Sequence, residues 1–305
     1  MIAILGGLGA AVLWASATLT SSRAGRLIGA SSTLAWMMLV GLLVAIPMGV
    51  ASGPLPTLTP STTVWMLFSG IGNVVGLLFV YRGLRIGKVG VIAALASTEG
   101  AIAAVISVVA GERMTIPVAL TLCVIVVGIA VVALASGEPE ETDAAGPDSI
   151  SGAIPASPDD QARHRFKPAQ RAVLWGVAAA LVFGLSIYST ARLGASMSPM
   201  MAVLPARVVG VVGVFIPLAI AGRLRLTRPA APMVLLIGLG EVFGNASFVI
   251  GSGQSIAISA VLASQFAAIS AVAAFLIFHE RLSLSQRYGV IAIAVGVAVL
   301  TATRS

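Results

Sequence analysis

Residues 70–76 read G-I-G-N-V-V-G and residues 238–244 read G-L-G-E-V-F-G, the same glycine pattern 238 − 70 = 168 positions later. That offset also carries Gly83 onto Gly251, Glu112 and Arg113 onto Glu280 and Arg281, Thr115 onto Ser283 and Gly128 onto Gly296, with no insertion. A register held over that distance marks a duplicated module. In a strongly apolar chain, duplication points to a transporter-like design with its site between the copies.

Mean hydropathy is +1.04, with 58% hydrophobic and only 10% charged residues; soluble domains carry about 25% charged residues. The surrounding medium is therefore lipid. Hydrocarbon cannot hydrogen-bond a backbone, and continuous apolar runs of roughly 20 residues suit helices crossing a ~30 Å core, so an all-α bundle follows and a β-barrel does not. The net charge of +7 would suggest nucleic acid in a soluble protein, but the arginines lie in loops, so no nucleic-acid partner is expected. Cys123 is the one cysteine, which excludes an intrachain disulfide. The first apolar segment lacks the cationic start of a secretion signal and reads as a retained helix.

Apolar runs between charged or Pro/Gly/Ser-rich breaks give ten helices: Ile2 to Thr20, Leu34 to Val50, Val64 to Tyr81, Val89 to Ala110, Ile116 to Leu134, Ala172 to Tyr188, Met200 to Ala221, Met233 to Ile250, Ile256 to Phe278 and Tyr288 to Ala302. Residues 1–135 form the first five-helix repeat, 136–171 a polar, acidic, disordered linker, and 172–305 the second repeat. An odd number of spans per repeat inserts the second copy upside down relative to the first. Lysine and arginine concentrate in the loops after the odd-numbered helices, among them Arg23, Arg26, Arg82, Arg85, Lys88, Arg223, Arg225 and Arg228, and only Arg113, Arg192 and Arg304 lie on the opposite side. The positive-inside rule then puts both termini outside the cytoplasm and the linker inside.

The stretches Y-R-G-L-R-I-G-K-V-G-V-I-A-A-L-A-S-T-E-G through A-G-E-R-M-T, and their counterparts through H-E-R-L-S and Y-G-V-I-A-I-A-V-G, resemble the duplicated EamA-type module of the drug/metabolite transporter superfamily. The resemblance covers both halves apart from the linker. It implies an integral transporter with a central cavity lined mainly by helices one, three, four, six, eight and nine, helices five and ten being peripheral. It also implies alternating access. Substrates across that superfamily range over amino acids, sugars, nucleotide sugars and drugs, so the resemblance restricts mechanism more than cargo. Glu112 and Glu280 of the G-E-R motifs read as interfacial residues, solvated or paired locally.

Three ionisable residues fall well inside predicted spans: Glu99, Arg207 and Glu241. A charge at the bilayer centre costs about 2.5–3.5 kcal/mol on insertion scales, so such residues face a bundle interior or a wet cavity. Glu241 shares a helix face with Asn245, Phe248 and Ser252, and its repeat mate is Asn73. Glu99 lies among small residues, with Ala267 as mate and Gln265 nearby. Family modules often place a proline after this glutamate; here Gly100 follows, which puts the corresponding helix break in doubt. Arg207 offers a planar fork for a carboxylate or phosphate, and the competing accounts are snorkelling or an ion pair with a glutamate. Trp14 completes the candidate lining.

These residues lead to the expectation of a secondary transporter that exports a small polar or amphipathic metabolite or drug across a bacterial inner membrane. A carboxyl in a low-dielectric chamber can change charge with its occupant, so Glu241 or Glu99 is expected to exchange a proton with substrate. An uncoupled facilitator or exchanger of the same fold is the alternative, and a non-transporting scaffold the alternative of another class. Catalysis is not expected, because no H-E-x-x-H, paired intramembrane aspartates or Walker motif occurs. Neither a cofactor nor a metal is expected, and a homodimer is the assembly to test for.

Overall fold

The computed structural model describes residues 1–53, 56–86, 95–135 and 158–266, with scattered positions beyond. The described elements are helices: α1 Ile2–Ile28, α2 Ala30–Ala51, α3 Pro60–Ile86, α4 Glu99–Val109, α5 Ile116–Ala135, α6 Pro158–Gly194, α7 Pro199–Ile220, α8 Ala230–Ser252 and α9 Ile256–Ala263. Six of them contain a stretch long and apolar enough to cross a membrane, namely α1, α2, α3, α6, α7 and α8, and three shorter apolar helices accompany them. The chain is a multi-pass, all-helical membrane protein. The expected start of the fourth helix at Val89, the end of the ninth at Phe278, residues 136–157 and most of the tenth helix lie outside the described residues.

Two boundaries differ from expectation. Residues 21–28 continue α1, because Gly29 alone makes the connection to α2. Its φ of 84° is a left-handed value that glycine adopts without strain, so one residue suffices where a loop was expected. At the other boundary α6 begins at Pro158, within the stretch read as a disordered linker, and runs 37 residues. At 1.5 Å per residue that is roughly 55 Å, well beyond a ~30 Å hydrocarbon core, so one end of α6 stands out of the membrane.

Packing follows the glycine pattern. A Cβ built at Gly70 would lie 2.7 Å from Val209 of α7, and one at Gly238 would lie 2.5 Å from Val40 of α2. At Gly72 it would meet Ser186 of α6 at 3.0 Å, and at Gly240 the Leu13 carbonyl of α1 at 3.1 Å. At Gly76 it would strike Phe183 of α6, and at Gly244 Trp14 of α1, each at 2.6 Å. Small residues let helices approach closely where no hydrophobic force drives them together. The third helix of each half thus receives the first and second helices of the other half. The facing positions on α6 and α1 are offset by 183 − 14 = 169, one more than the glycines themselves. The remaining pairings correspond in the same way: α2 with α7, α4 with α9, and α1 with α9 as α6 with α4.

Hydroxyl bonds fasten these contacts. The Ser186 hydroxyl donates to the Ser69 carbonyl at 2.7 Å, and the Ser69 and Thr190 hydroxyls share a bond of 2.7 Å. On the other side, Ser247 of α8 donates to the Gly6 carbonyl and Ser259 of α9 to the Ala3 carbonyl, both on α1 and both at 3.0 Å. Large apolar side chains such as Leu5, Leu43, Val105, Leu120 and Leu236 remain exposed, as lipid contact allows.

Candidate functional site

Turns break the helical run beside α4 and beside α9 at corresponding positions of the two halves. Residues 97–98 form a turn before α4, and residues 264–265 form one after α9. In each, backbone N–H groups fall back on carbonyls three residues earlier, Thr98 on Leu95 and Gln265 on Leu262, both at 3.2 Å. The hydroxyls of Thr98 and Ser264 bond local carbonyls at 2.7 Å, a competition that weakens helical continuation. The break left in doubt by Gly100 therefore exists without proline. Glycine is required there for another reason: a Cβ would lie 1.8 Å from Ser264 Oγ and 2.2 Å from the Ala260 carbonyl. The backbones of α4 and α9 touch at the residue after Glu99.

Glu99 opens α4 and is 9% exposed. It lies within electrostatic range of Glu241 on α8. Arg207 is 1% exposed, and its Nη2 lies 3.3 Å from Glu241 Oε2 and 3.4 Å from the Glu241 carbonyl, with Nη1 3.6 Å from Met38 sulfur. The contacts are long and not bidentate, so the pair is an ion pair with one loose hydrogen bond. Gly41 gives Arg207 passage between α2 and α8, since a Cβ there would lie 2.9 Å from Arg207 Cδ. Just beyond Arg207, α7 widens into a π-helical turn at Val211–Phe215, a distortion that recurs at functional sites. Asn245 Nδ2 donates to the Glu241 carbonyl at 2.7 Å and lies 3.4 Å from its carboxylate.

Among the sequence candidates, Arg207, Glu241 and Asn245 are in contact, and Trp14 packs near Phe248. Four buried side-chain polar atoms among the described residues have no protein partner: Trp14 Nε1, Asn73 Oδ1, Arg207 Nε and Gln265 Nε2. All four belong to residues singled out from the sequence. Buried polar groups are otherwise almost always paired, so unpaired ones ask for a function. Phe248, 1% exposed, lies 6.4 Å from the Trp14 ring, and Phe266 meets Trp14 edge-on at 6.1 Å. Both join a buried cluster with Ala103, Tyr188, Ala260 and Ala263. On the side of that cluster toward the α6–α7 connection, Tyr188 packs edge-on against Trp65 at 5.7 Å, and the Arg192 guanidinium lies 5.9 Å over the Trp65 ring.

Residues 1–134 match the model of the EamA-like transporter family, which belongs to the drug/metabolite transporter superfamily. The first half is thus similar to an EamA module. No curated protein matches the chain. A solved structure titled "Crystal structure of protein" superposes with a TM-score of 0.73 at 17% identity, covering 98% of each chain. At that identity the likeness speaks for the fold alone. It covers the second half as well, where the family model does not reach.

Glu112 of the G-E-R motif is paired locally with Ser107, as its interfacial position suggested, and it also reaches the other half. Its Oε1 accepts from the Ser255 hydroxyl at 2.5 Å, and its Oε2 accepts from Ser107 at 2.6 Å and from the Ala257 N–H at 3.3 Å. A carboxylate from the first half thereby caps α9 of the second, where the helix dipole favours negative charge. Ser255 in turn accepts from the Ile258 N–H at 3.2 Å. The capping serine of α9 is legible in S-I-A-I, but the partner 143 residues away is not.

Proposed function

We propose that the protein is a secondary transporter that moves a small polar or amphipathic molecule by alternating access around the chamber bounded by Trp14, Asn73, Glu99, Arg207, Glu241 and Gln265. In this reading ten helices form two five-helix repeats of opposite orientation, residues 1–135 and 172–305. The observation that carries it is the coincidence of unpartnered buried polar atoms with paired helix breaks in α4 and α9, the arrangement by which interrupted helices bind cargo at mid-bilayer.

Export is the direction proposed, and the halves are joined at both ends of the bundle. The lysine- and arginine-poor loops converge at Glu112, Arg192 and Ser255, and there the Glu112 cap and the Trp65–Tyr188 contact hold the halves together. At the opposite end the Arg225 backbone is pinned to α2, its N–H by the Ser32 hydroxyl at 3.1 Å and its carbonyl by Trp36 Nε1 at 3.0 Å. By the positive-inside rule the Glu112 end lies outside the cytoplasm. Glu99 is the better proton-exchanging group, because Glu241 already has Arg207 as counter-ion. Flux into proteoliposomes driven by an imposed pH gradient tests this reading. Transport indifferent both to that gradient and to Glu99→Gln would leave an uncoupled carrier of the same fold. No flux of any amphipathic solute would remove the transporter.

A further inference from the structure

We propose that the cleft at the Glu112 end of the bundle is a second binding site, separate from the chamber, for a small organic acid bearing a single carboxylate. The cleft measures about 270 Å³ and takes its lining from both halves, with Ser107 and Glu112 from the first and Tyr188, Arg192, Ser252 and Gln254 from the second. Tyr188 and Arg192 stand one turn apart on α6 and so share a helix face. Trp65 of α3 positions both. The Tyr188 ring meets it edge-on at 5.7 Å, and the Arg192 guanidinium lies 5.9 Å over its face. Neither has its polar atoms satisfied within the protein. Tyr188 is 4% exposed, yet its hydroxyl makes no hydrogen bond among the described residues, and Arg192 has no ion pair among them. An unpaired phenol on a side chain this buried asks for a partner. A guanidinium laid on an aromatic face keeps its in-plane N–H donors free, in the fork that matches a carboxylate.

Glu112 does not supply that carboxylate. Its Oε1 accepts from Ser255, and its Oε2 accepts from Ser107 and the Ala257 N–H, so both oxygens are engaged and Arg192 is left open. The Glu112 charge nonetheless stands on the cleft wall, and it limits the charge a ligand can carry. One carboxylate is met by Arg192 and Tyr188, whereas a second, or a dianionic phosphate, adds repulsion from Glu112 across a narrow space. The rest of the lining is polar and neutral. The Ser252 hydroxyl donates to the Val249 carbonyl at 2.8 Å, which leaves its oxygen to accept, and Gln254 is exposed with its amide available. Sites for drug-sized molecules run to ~300–1,000 Å³, so a cleft of about 270 Å³ calls for an acid of few heavy atoms with a hydroxyl-like body. Arg207 offers no competing site for it, since its guanidinium already faces Glu241.

The test uses lactate, with lactamide as the neutral isostere and malonate as the dianion. Binding to the full-length protein in lipid nanodiscs is read by saturation-transfer NMR, with empty nanodiscs as the blank. The expected result is a lactate signal that saturates with concentration, weakened about tenfold or more by Arg192→Gln and several-fold by Tyr188→Phe. Lactamide should give no saturable signal. Malonate should bind more weakly than lactate and gain in Glu112→Gln, which removes the wall charge. Because Arg192→Gln also gives up the contact with Trp65, Arg192→Lys is the second variant; it keeps a charge over the ring without the fork and should bind lactate at intermediate strength with the parent's melting temperature. No saturable lactate signal, lactate binding unchanged in Arg192→Gln, or lactamide binding equal to lactate overturns the site. Malonate equal to lactate in the parent overturns the single-charge assignment. Lactate binding lost in Arg207→Met but kept in Arg192→Gln places the acid in the chamber and overturns the proposal as well.

Discussion

Replacing Glu112 with alanine removes a carboxylate that bridges the two halves at the end where α4, α6 and α9 meet. Three bonds go with it, from Ser255 at 2.5 Å, Ser107 at 2.6 Å and the Ala257 N–H at 3.3 Å. A hydrogen bond to a charged group contributes about 1.5–3 kcal/mol. Ser107 keeps a bond to the Ala104 carbonyl at 3.1 Å, however, and Ser255 still caps Ile258. The uncompensated loss is therefore close to one strong bond plus the charge–dipole contribution of about 0.3–1 kcal/mol. Because Glu112 is only partly buried, a total of about 2–4 kcal/mol is expected, equivalent to a fall in melting temperature of roughly 5–10 °C. Glu112→Gln keeps the acceptor oxygen and should recover about half of that. The melting temperature in detergent reports the global effect, and amide exchange at Ala257 and Ile258 reports the local one. An alanine variant that melts with the parent and leaves exchange at those two amides unchanged would refute the cap.

Three further outcomes follow from the same geometry. Arg207→Met leaves Glu241 without its cation and should destabilise by about 1–3 kcal/mol, below the 3–5 of a fully buried broken pair, because the Glu241 side chain is 26% exposed; adding Glu241→Gln should restore most of the melting temperature, and a purely additive double mutant would contradict the pairing. Gly244→Val places a side chain where even a Cβ comes 2.6 Å from the Trp14 ring; overpacking of about 1–3 kcal/mol should appear as a lowered melting temperature together with a shifted tryptophan emission, and an unchanged spectrum would count against the contact. Gly100→Ala meets the Ala260 carbonyl at 2.2 Å, so it should part α4 from α9 and cut transport at least about tenfold, whereas alanine at Gly25, which has nothing within 4 Å, should leave flux intact.

Much of the fold was legible because lipid imposes simple rules. Uninterrupted apolar runs had to be helices, and the repeated glycines had to mark close crossings, although only coordinates reveal that the crossings join one half to the other. The single-residue joint at Gly29 escaped detection, since Arg23 and Arg26 look like loop residues when they stand at the polar end of a long helix. The first residues of α6 escaped too, because their composition is acidic and polar while helix formation depends on backbone bonding. At the site, charge within apolar spans drew attention to Glu99, Arg207 and Glu241, of which the structure joins Arg207 and Glu241, and helical periodicity placed Asn245 beside Glu241. What periodicity could not supply was the partnership of Arg207 with Glu241, which spans two helices, or the reach of Glu112 across the chain. Hydrogen bonds between distant segments leave no spacing to read.

The exchanged glycine notches make each half the missing mould of the other. Cut between 136 and 157, the chain would yield two fragments whose grooves stand open, and only their co-expression would restore a sealed bundle. Loss of one notch would cripple a helix encoded in the opposite fragment. Complementation in such a split gene is thus set by matching grooves to visitors, one glycine triplet at a time.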